Sequence, residues 1–118
     1  MATVASRNMD QPDETRTPPM TIVDVVNLEG VEVGRFTFEP GWKWSDCIKP
    51  VVGTDSCQAE HLGYVVSGQL RVAHNDGTEV DLAPGDAYQI APGHDAWVIG
   101  DEPFVGVEFK SAATYAKS

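Results

Sequence analysis

Gly68-Gln-Leu-Arg-Val-Ala-His-Asn-Asp-Gly77-Thr-Glu-Val-Asp-Leu-Ala-Pro-Gly85-Asp-Ala-Tyr-Gln-Ile-Ala-Pro-Gly93 is the stretch that decides the fold class. Its four glycines fall at gaps of nine, eight and eight residues, each between short apolar runs. Asn75-Asp76-Gly77 is a strong hairpin signal, because Asn, Asp and Gly tolerate the left-handed backbone that tight turns need. Turns at this spacing predict a meander of short antiparallel strands. Upstream, Ile22, Val23, Val25, Val26 and Leu28 end at Glu29-Gly30, and Val31, Val33, Phe36 and Phe38 end at Pro40-Gly41. Those two runs read as a hairpin. No stretch carries helical spacing long enough for a principal helix. The fold class is therefore all-β, with a closed barrel or two-sheet jelly roll preferred to an open sheet because either one manages the strand edges.

The rest of the chain bounds the problem. With 118 residues, 42% of them hydrophobic, there is material for one core and one domain. Residues 1–19 are polar, proline-punctuated and without period, and read as a flexible arm pinned at its end by packing. Residues 20–109 form the barrel, and 110–118 a weakly patterned tail in which Ala112, Ala113 and Tyr115 could add a helical turn or strand. No apolar run is long enough to span a bilayer and the start of the chain lacks a signal-type apolar core, so the expectation is a cytoplasmic protein with no membrane partner. A formal charge of −10 and the lack of a basic cluster disfavour nucleic acid.

Chemistry concentrates in two segments. The first is Gly53-Thr-Asp-Ser-Cys57-Gln-Ala-Glu-His61-Leu-Gly-Tyr-Val-Val-Ser-Gly68, and the second runs from Gly85 through His94 to Trp97. Cys57, His61 and His94 are good ligands for a borderline-soft divalent metal. Asp55, Cys57 and His61 share strand parity, which makes Asp55 a further ligand candidate or an acceptor that orients an imidazole. A straight strand would hold the Cα atoms of Cys57 and His61 about 13 Å apart at about 3.3 Å per residue, so shared ligation requires a bend at Gln58-Ala59-Glu60. The plain alternative is a metal-free barrel in which Cys57 is core, His61 a hydrogen-bonded barrel residue and His94 a rim residue. The residue types leave both readings open.

These segments resemble the paired motifs of the cupin superfamily, small β-barrels with a first motif Gly-x5-His-x-His-x3-4-Glu-x6-Gly and a second, Gly-x5-Pro-x-Gly-x2-His-x3-Asn. The resemblance covers roughly residues 35–109, and Tyr64-Val-Val-Ser-Gly68-Gln-Leu-Arg-Val with Pro84-Gly85-Asp86 is its more specific part. Anchored on Gly68, it places the family's glutamate position at His61 and its two histidine positions at Asp55 and Cys57. In the second motif, counting forward from Gly93 puts the histidine position at Ala96. Counting back from Gly100-Asp-Glu-Pro103 puts it at His94, with Val98 at the asparagine position; this second count is preferred because a barrel rim accepts a shortened loop more easily than a lost ligand. The resemblance thus implies a cupin-like barrel, commonly dimeric, with a metal held by Cys57, His61 and His94. Both histidines of the usual pair are missing, and a thiolate with two imidazoles suits zinc better than iron or nickel, which marks down oxygenase chemistry.

Two functions follow as expectations. One is an enzyme in which the metal polarises a carbonyl or activates water for isomerisation, hydrolysis or lyase-type chemistry on a small acid or sugar. Asp55 and Tyr88 are then the nearest proton-transfer candidates. The other is a non-catalytic, metal-free sensing or storage module for a small-molecule ligand. Tyr88, Trp97 and Trp44 are the pocket candidates, and Trp42 with Trp44 could cover a barrel mouth or a subunit contact. Cys47 reads as a buried hydrophobe, His74 as an exposed hairpin residue without a role, and Glu60 and Glu108 as solvent-facing.

Overall fold

The computed structural model describes residues 3–112 and 115. Nine strands and two single-turn helices follow in chain order: β1 (Glu14–Arg16), β2 (Thr21–Leu28), β3 (Val31–Phe38), α1 (Trp44–Cys47), α2 (Lys49–Val52), β4 (His61–Ser67), β5 (Gln69–His74), β6 (Glu79–Leu82), β7 (Ala87–Ile90), β8 (His94–Ile99) and β9 (Phe104–Glu108). They form a six-stranded sheet ordered β1-β2-β3-β9-β4-β7 and a three-stranded sheet ordered β6-β5-β8, with all pairs antiparallel. The all-β double-sheet architecture is the one expected. Among the described residues no helix is long and apolar enough to cross a membrane.

Alternation builds the core. Val23 and Val25 of β2, Phe36 and Phe38 of β3, Val65 of β4 and Phe104 of β9 point inward from the larger sheet. Leu70 and Val72 of β5, with Ala96 and Val98 of β8, meet them from the smaller one. Burying a side chain of this size contributes roughly 1.5–3 kcal/mol, so this set fixes which face of each strand turns inward. Trp42 stacks on Phe38 with ring centroids 3.8 Å apart, and its Nε1–H donates to Thr21 Oγ1 at 2.9 Å. It is a core residue within the chain, as are Trp44 and Cys47. Both tryptophans are buried within the chain itself.

The β2–β3 hairpin pairs over its full length around Glu29-Gly30, as the sequence predicts. The simple meander does not survive. Of the strands after residue 60, only β5 and β6 are consecutive neighbours in a sheet; the others alternate between sheets, so β4 pairs with β7 and β9 while β5 pairs with β6 and β8. Gly68 makes the first crossing, with φ +75° and a position where a Cβ would lie 2.2 Å from Pro103 O. No other residue type fits that crossing without moving the backbone. Asn75-Asp76-Gly77 does close the β5–β6 hairpin.

The arm is more ordered than its composition suggests. β1 pairs with the edge of β2, and Thr15 Oγ1 donates to Asp24 at 3.0 Å. Arg35 bonds Asp10 at 2.8 Å and Asp24 at 3.1 Å, which ties the segment before β1 to the outside of the β2–β3 hairpin. These are backbone and charged contacts that leave no hydrophobic period in the sequence. Of the tail, Ala112 and Tyr115 are buried against the barrel, while Ala113 lies outside the described residues.

Candidate metal centre

Cys57 sits beyond the smaller sheet and is tied to it by backbone pairing with His94: Cys57 N–H donates to His94 O at 2.7 Å, and Gly93 N–H donates to Cys57 O at 2.7 Å. Residues 58–60 are irregular, and the chain then enters the larger sheet at His61, the first residue of β4. The bend required by the spacing is present. It carries Cys57 and His61 from opposite sheets onto a common interior point, with Cys57 Sγ 3.7 Å from His61 Nε2. His94, first in β8, brings its ring centroid to 5.1 Å from that of His61. The sulfur and the two imidazole nitrogens lie within 4.8 Å of one another, and all three residues are buried. Tetrahedral ligands around zinc stand about 3.3–3.8 Å apart, so a small inward movement closes this set on an ion.

Each imidazole is oriented by its other nitrogen. His94 Nδ1 lies 2.9 Å from Ala91 O, and a carbonyl only accepts, so Nδ1 carries the proton and Nε2 keeps its lone pair. His61 Nδ1 donates to Glu108 Oε1 at 2.5 Å, leaving its Nε2 toward Cys57. Glu108 is 4% exposed and also accepts from Tyr88 Oη at 2.7 Å and from Ser111 Oγ at 2.5 Å. Glycines make room for the phenol: a Cβ at Gly63 would stand 2.7 Å from Tyr88 Oη, and one at Gly106, 2.8 Å.

The charges reinforce one another. Burial opposes the ionised form of His61, yet the Glu108 carboxylate and the Cys57 sulfur outweigh it and raise the imidazole to about 10. Burial likewise opposes the Cys57 thiolate, but hydrogen bonds and charge from His61 and His94 bring it down to about 6. Without metal, these shifts favour a Cys57 thiolate paired with a His61 imidazolium. Burial and the neighbouring Glu108 carboxylate push Tyr88 far above the ordinary phenol, so it stays a proton donor.

Several expectations need correction. Asp55 is fully exposed and lies 3.9 Å from Lys49, because the chain at residues 55–56 is a bend to which strand parity does not apply. It is outside the cluster. Trp97 stands on the outer face of β8 under Lys43 Nζ, 5.5 Å from the ring centroid, and lines no pocket near the triad. Glu108, expected at the surface, is the buried acceptor described above; Glu60 is exposed and ion-paired with Lys110, as expected. His74 is half-buried in its hairpin, 2.8 Å from Pro92 O, and away from the centre. Tyr88 and Trp44 do wall the interior: a cavity of about 20 Å³ touches both, with His61, His94 and Glu108. Sequence reasoning missed Glu108: it shares parity with Phe104 and Gly106, but Val105 and Val107 on the other parity are equally apolar, so the pattern does not say which face turns inward.

Comparison with known proteins agrees with this architecture. Residues 53–109, which contain the triad and Glu108, match the family profile of the cupin domain. The barrel has the cupin fold. Its neighbours among solved structures include a structural-genomics protein from Rhizobium leguminosarum bv. viciae 3841, 18% identical, with a TM-score of 0.67 over 92% of this chain and 97% of that one. KdgF from Halomonas sp. is 21% identical with a TM-score of 0.58, covering 83% of this chain and 87% of that one. Oxalate decarboxylase from Lactobacillus farciminis is 18% identical with a TM-score of 0.60 over 86% of this chain, which spans 32% of that enzyme. At these identities the likeness is one of fold. No curated protein sequence matches the chain.

Proposed function

We propose that this barrel holds a divalent metal, zinc in preference to iron or nickel, through Cys57 Sγ, His61 Nε2 and His94 Nε2, and uses it for non-redox chemistry of the isomerase, hydrolase or lyase type on a small molecule. The observation that carries the reading is the commitment of both Nδ1 atoms, to Glu108 and to Ala91 O, which leaves both Nε2 atoms and the Cys57 sulfur gathered about one point. Metal-ligating histidines characteristically have such partners. One sulfur and two nitrogens with a fourth position open to a ligand is a zinc-type donor set. When bound, such an ion polarises a carbonyl or makes water nucleophilic near neutral pH.

The chain's own groups supply the rest. Glu108 holds His61 in the ligating tautomer, and Tyr88 and Ser111 hold Glu108. Trp44 and Tyr115 border both the inner cavity and an outer cleft of about 230 Å³ that reaches Cys57, so a small substrate approaches from the cleft side. Metal content by mass spectrometry, on chelator-free protein, tests the reading in wild type and in Cys57→Ala, His61→Ala and His94→Ala. Near-stoichiometric metal that falls in each variant supports it. Metal absent from wild type, or indifferent to all three changes, leaves a metal-free binding barrel.

A further inference from the structure

The hydroxyls that surround the triad differ in what they already do. Tyr88 Oη and Ser111 Oγ donate to Glu108, and Thr54 Oγ1 donates to Ser56 O at 2.8 Å. Tyr115 is different. Its side chain is 4% exposed and lines both the inner cavity, with His61 and His94, and the outer cleft, with Cys57. Its ring centroid stands 4.7 Å from that of Phe36 and 5.5 Å from that of His61, yet its hydroxyl has no hydrogen-bond partner among the described residues. Trp44 Nε1 is also without a partner but is sealed off, whereas the Tyr115 hydroxyl is not sealed and opens on the space that a ligand would occupy. Burial, with charge from Cys57 and Glu108, holds this phenol well above its ordinary value, so it is a donor and not an anion.

Both ends of the chain hold that ring in place. Tyr115 N–H donates to Ser111 O at 2.9 Å, in the turn whose Ser111 Oγ is bonded to Glu108. From the other end, Arg16 of β1 donates through Nη1 to Tyr115 O at 2.6 Å, while its Nε donates to Glu14 at 2.7 Å. The Arg16 side chain is 9% exposed, and a cation so placed must be hydrogen-bonded; one of its partners is a carbonyl 99 positions away. The arm thus fixes the backbone of the residue that borders the centre.

We propose that Tyr115 donates a hydrogen bond to the ligand at the metal centre, that Arg16 positions it for this, and that the ligand is a small carboxylate. A divalent ion outweighs the single Cys57 thiolate, and the Glu108 charge faces three donors of its own, so an anionic oxygen is drawn to the open position of the ion. A carboxylate needs little beyond the ion and one donor, and its apolar substituent fits the cleft wall of Ile48, Val52 and Ala59. A sugar of the same size brings several hydroxyls to that apolar wall. The inference rests on the proposed metal centre and adds to it a donor and a ligand class.

The test uses the full chain loaded with cobalt(II) in place of zinc and titrated with acetate, read from the visible absorption of the ion. Acetate is expected to bind wild type, and Tyr115→Phe, which keeps the ring against Phe36 and His61, to weaken it about tenfold or more, the effect of one hydrogen bond to a charged group. Zinc affinity in competition with a chelator is expected to be unchanged in that variant, because the hydroxyl meets the ligand and not the ion. Arg16→Gln is expected to weaken acetate about threefold, and the double variant to be no weaker than Tyr115→Phe alone, since a positioning residue acts only through the group it positions. Equal acetate affinity in wild type and Tyr115→Phe, or no acetate binding by fully loaded wild type, overturns the inference alone. Additive losses in the double variant overturn the role given to Arg16. A chain that takes up no metal overturns the metal reading and the inference together.

Discussion

Replacing Glu108 by glutamine probes the centre with the least change in shape. Oε1 of Glu108 accepts from His61 Nδ1 and Ser111 Oγ, both at 2.5 Å, and Oε2 accepts from Tyr88 Oη at 2.7 Å. A glutamine amide oxygen in the Oε1 place keeps two acceptances without charge, while its NH2 group confronts the Tyr88 hydroxyl donor. A charge-assisted bond contributes about 1.5–3 kcal/mol and a neutral one about 0.5–1.5, so demoting two bonds and mismatching a third costs roughly 3 kcal/mol in the metal-free fold. Metal affinity is expected to fall about 10–100-fold, because His61 loses the carboxylate that fixes its tautomer and raises its basicity. Urea unfolding of the metal-free protein gives the first quantity, and zinc competition against a chromogenic chelator the second. Glu60→Gln, the same chemical change at the exposed ion pair with Lys110, serves as the control with no effect on either. Unfolding and zinc affinity equal to wild type in Glu108→Gln would refute the orienting role.

The remaining predictions concern protons and packing. In metal-free protein the thiolate absorbance, taken as wild type minus Cys57→Ala, should disappear with a midpoint near pH 6, and His61→Ala should move that midpoint upward. The Cys57 pKa is depressed in the fold, so the thiolate's stabilisation is complete above the ordinary 9.0 and is lost as pH falls toward about 6. His61 has the opposite sign: its contribution is complete below 6.5 and is lost as pH rises through about 10. Between those limits zinc displaces the His61 proton while Cys57 is largely ionised, so calorimetry in buffers of different ionisation enthalpy should show about one proton released, and zinc affinity should rise about tenfold per pH unit. Gly106→Ala should cost about 1–3 kcal/mol in denaturant unfolding, since its Cβ would stand 2.8 Å from Tyr88 Oη and 3.0 Å from the Phe104 ring.

How much of this was legible in the chain depends on whether a residue's position is set by local pattern or by partners distant in sequence. The β2–β3 hairpin and the β5–β6 turn follow from apolar runs and from Asn75-Asp76-Gly77, which act within a few residues. Cys57, His61 and His94 could be picked by chemistry, and the bend at 58–60 by the distance it must remove. Sheet switching could not be read, because Gly68 gives the same turn signal whether the chain folds back beside its own strand or crosses to the other sheet; Pro103, 35 positions on, decides it. Glu108 was hidden because Val105 and Val107 on the outer face are as apolar as the inward Phe104, which erases the alternation of β9. Its three donors come from β4, β7 and the segment after β9, and no window of sequence contains them together. Asp55 failed for the converse reason: parity was extended through a bend where it has no meaning.

The central claim is that one sulfur and two imidazoles meet on a single ion. X-ray absorption at the zinc edge of the stoichiometrically loaded protein measures that shell directly. The account predicts one sulfur at about 2.3 Å and two histidine nitrogens at about 2.0–2.1 Å, with the sulfur lost in Cys57→Ala. A shell of nitrogen and oxygen alone in the wild-type protein would contradict it.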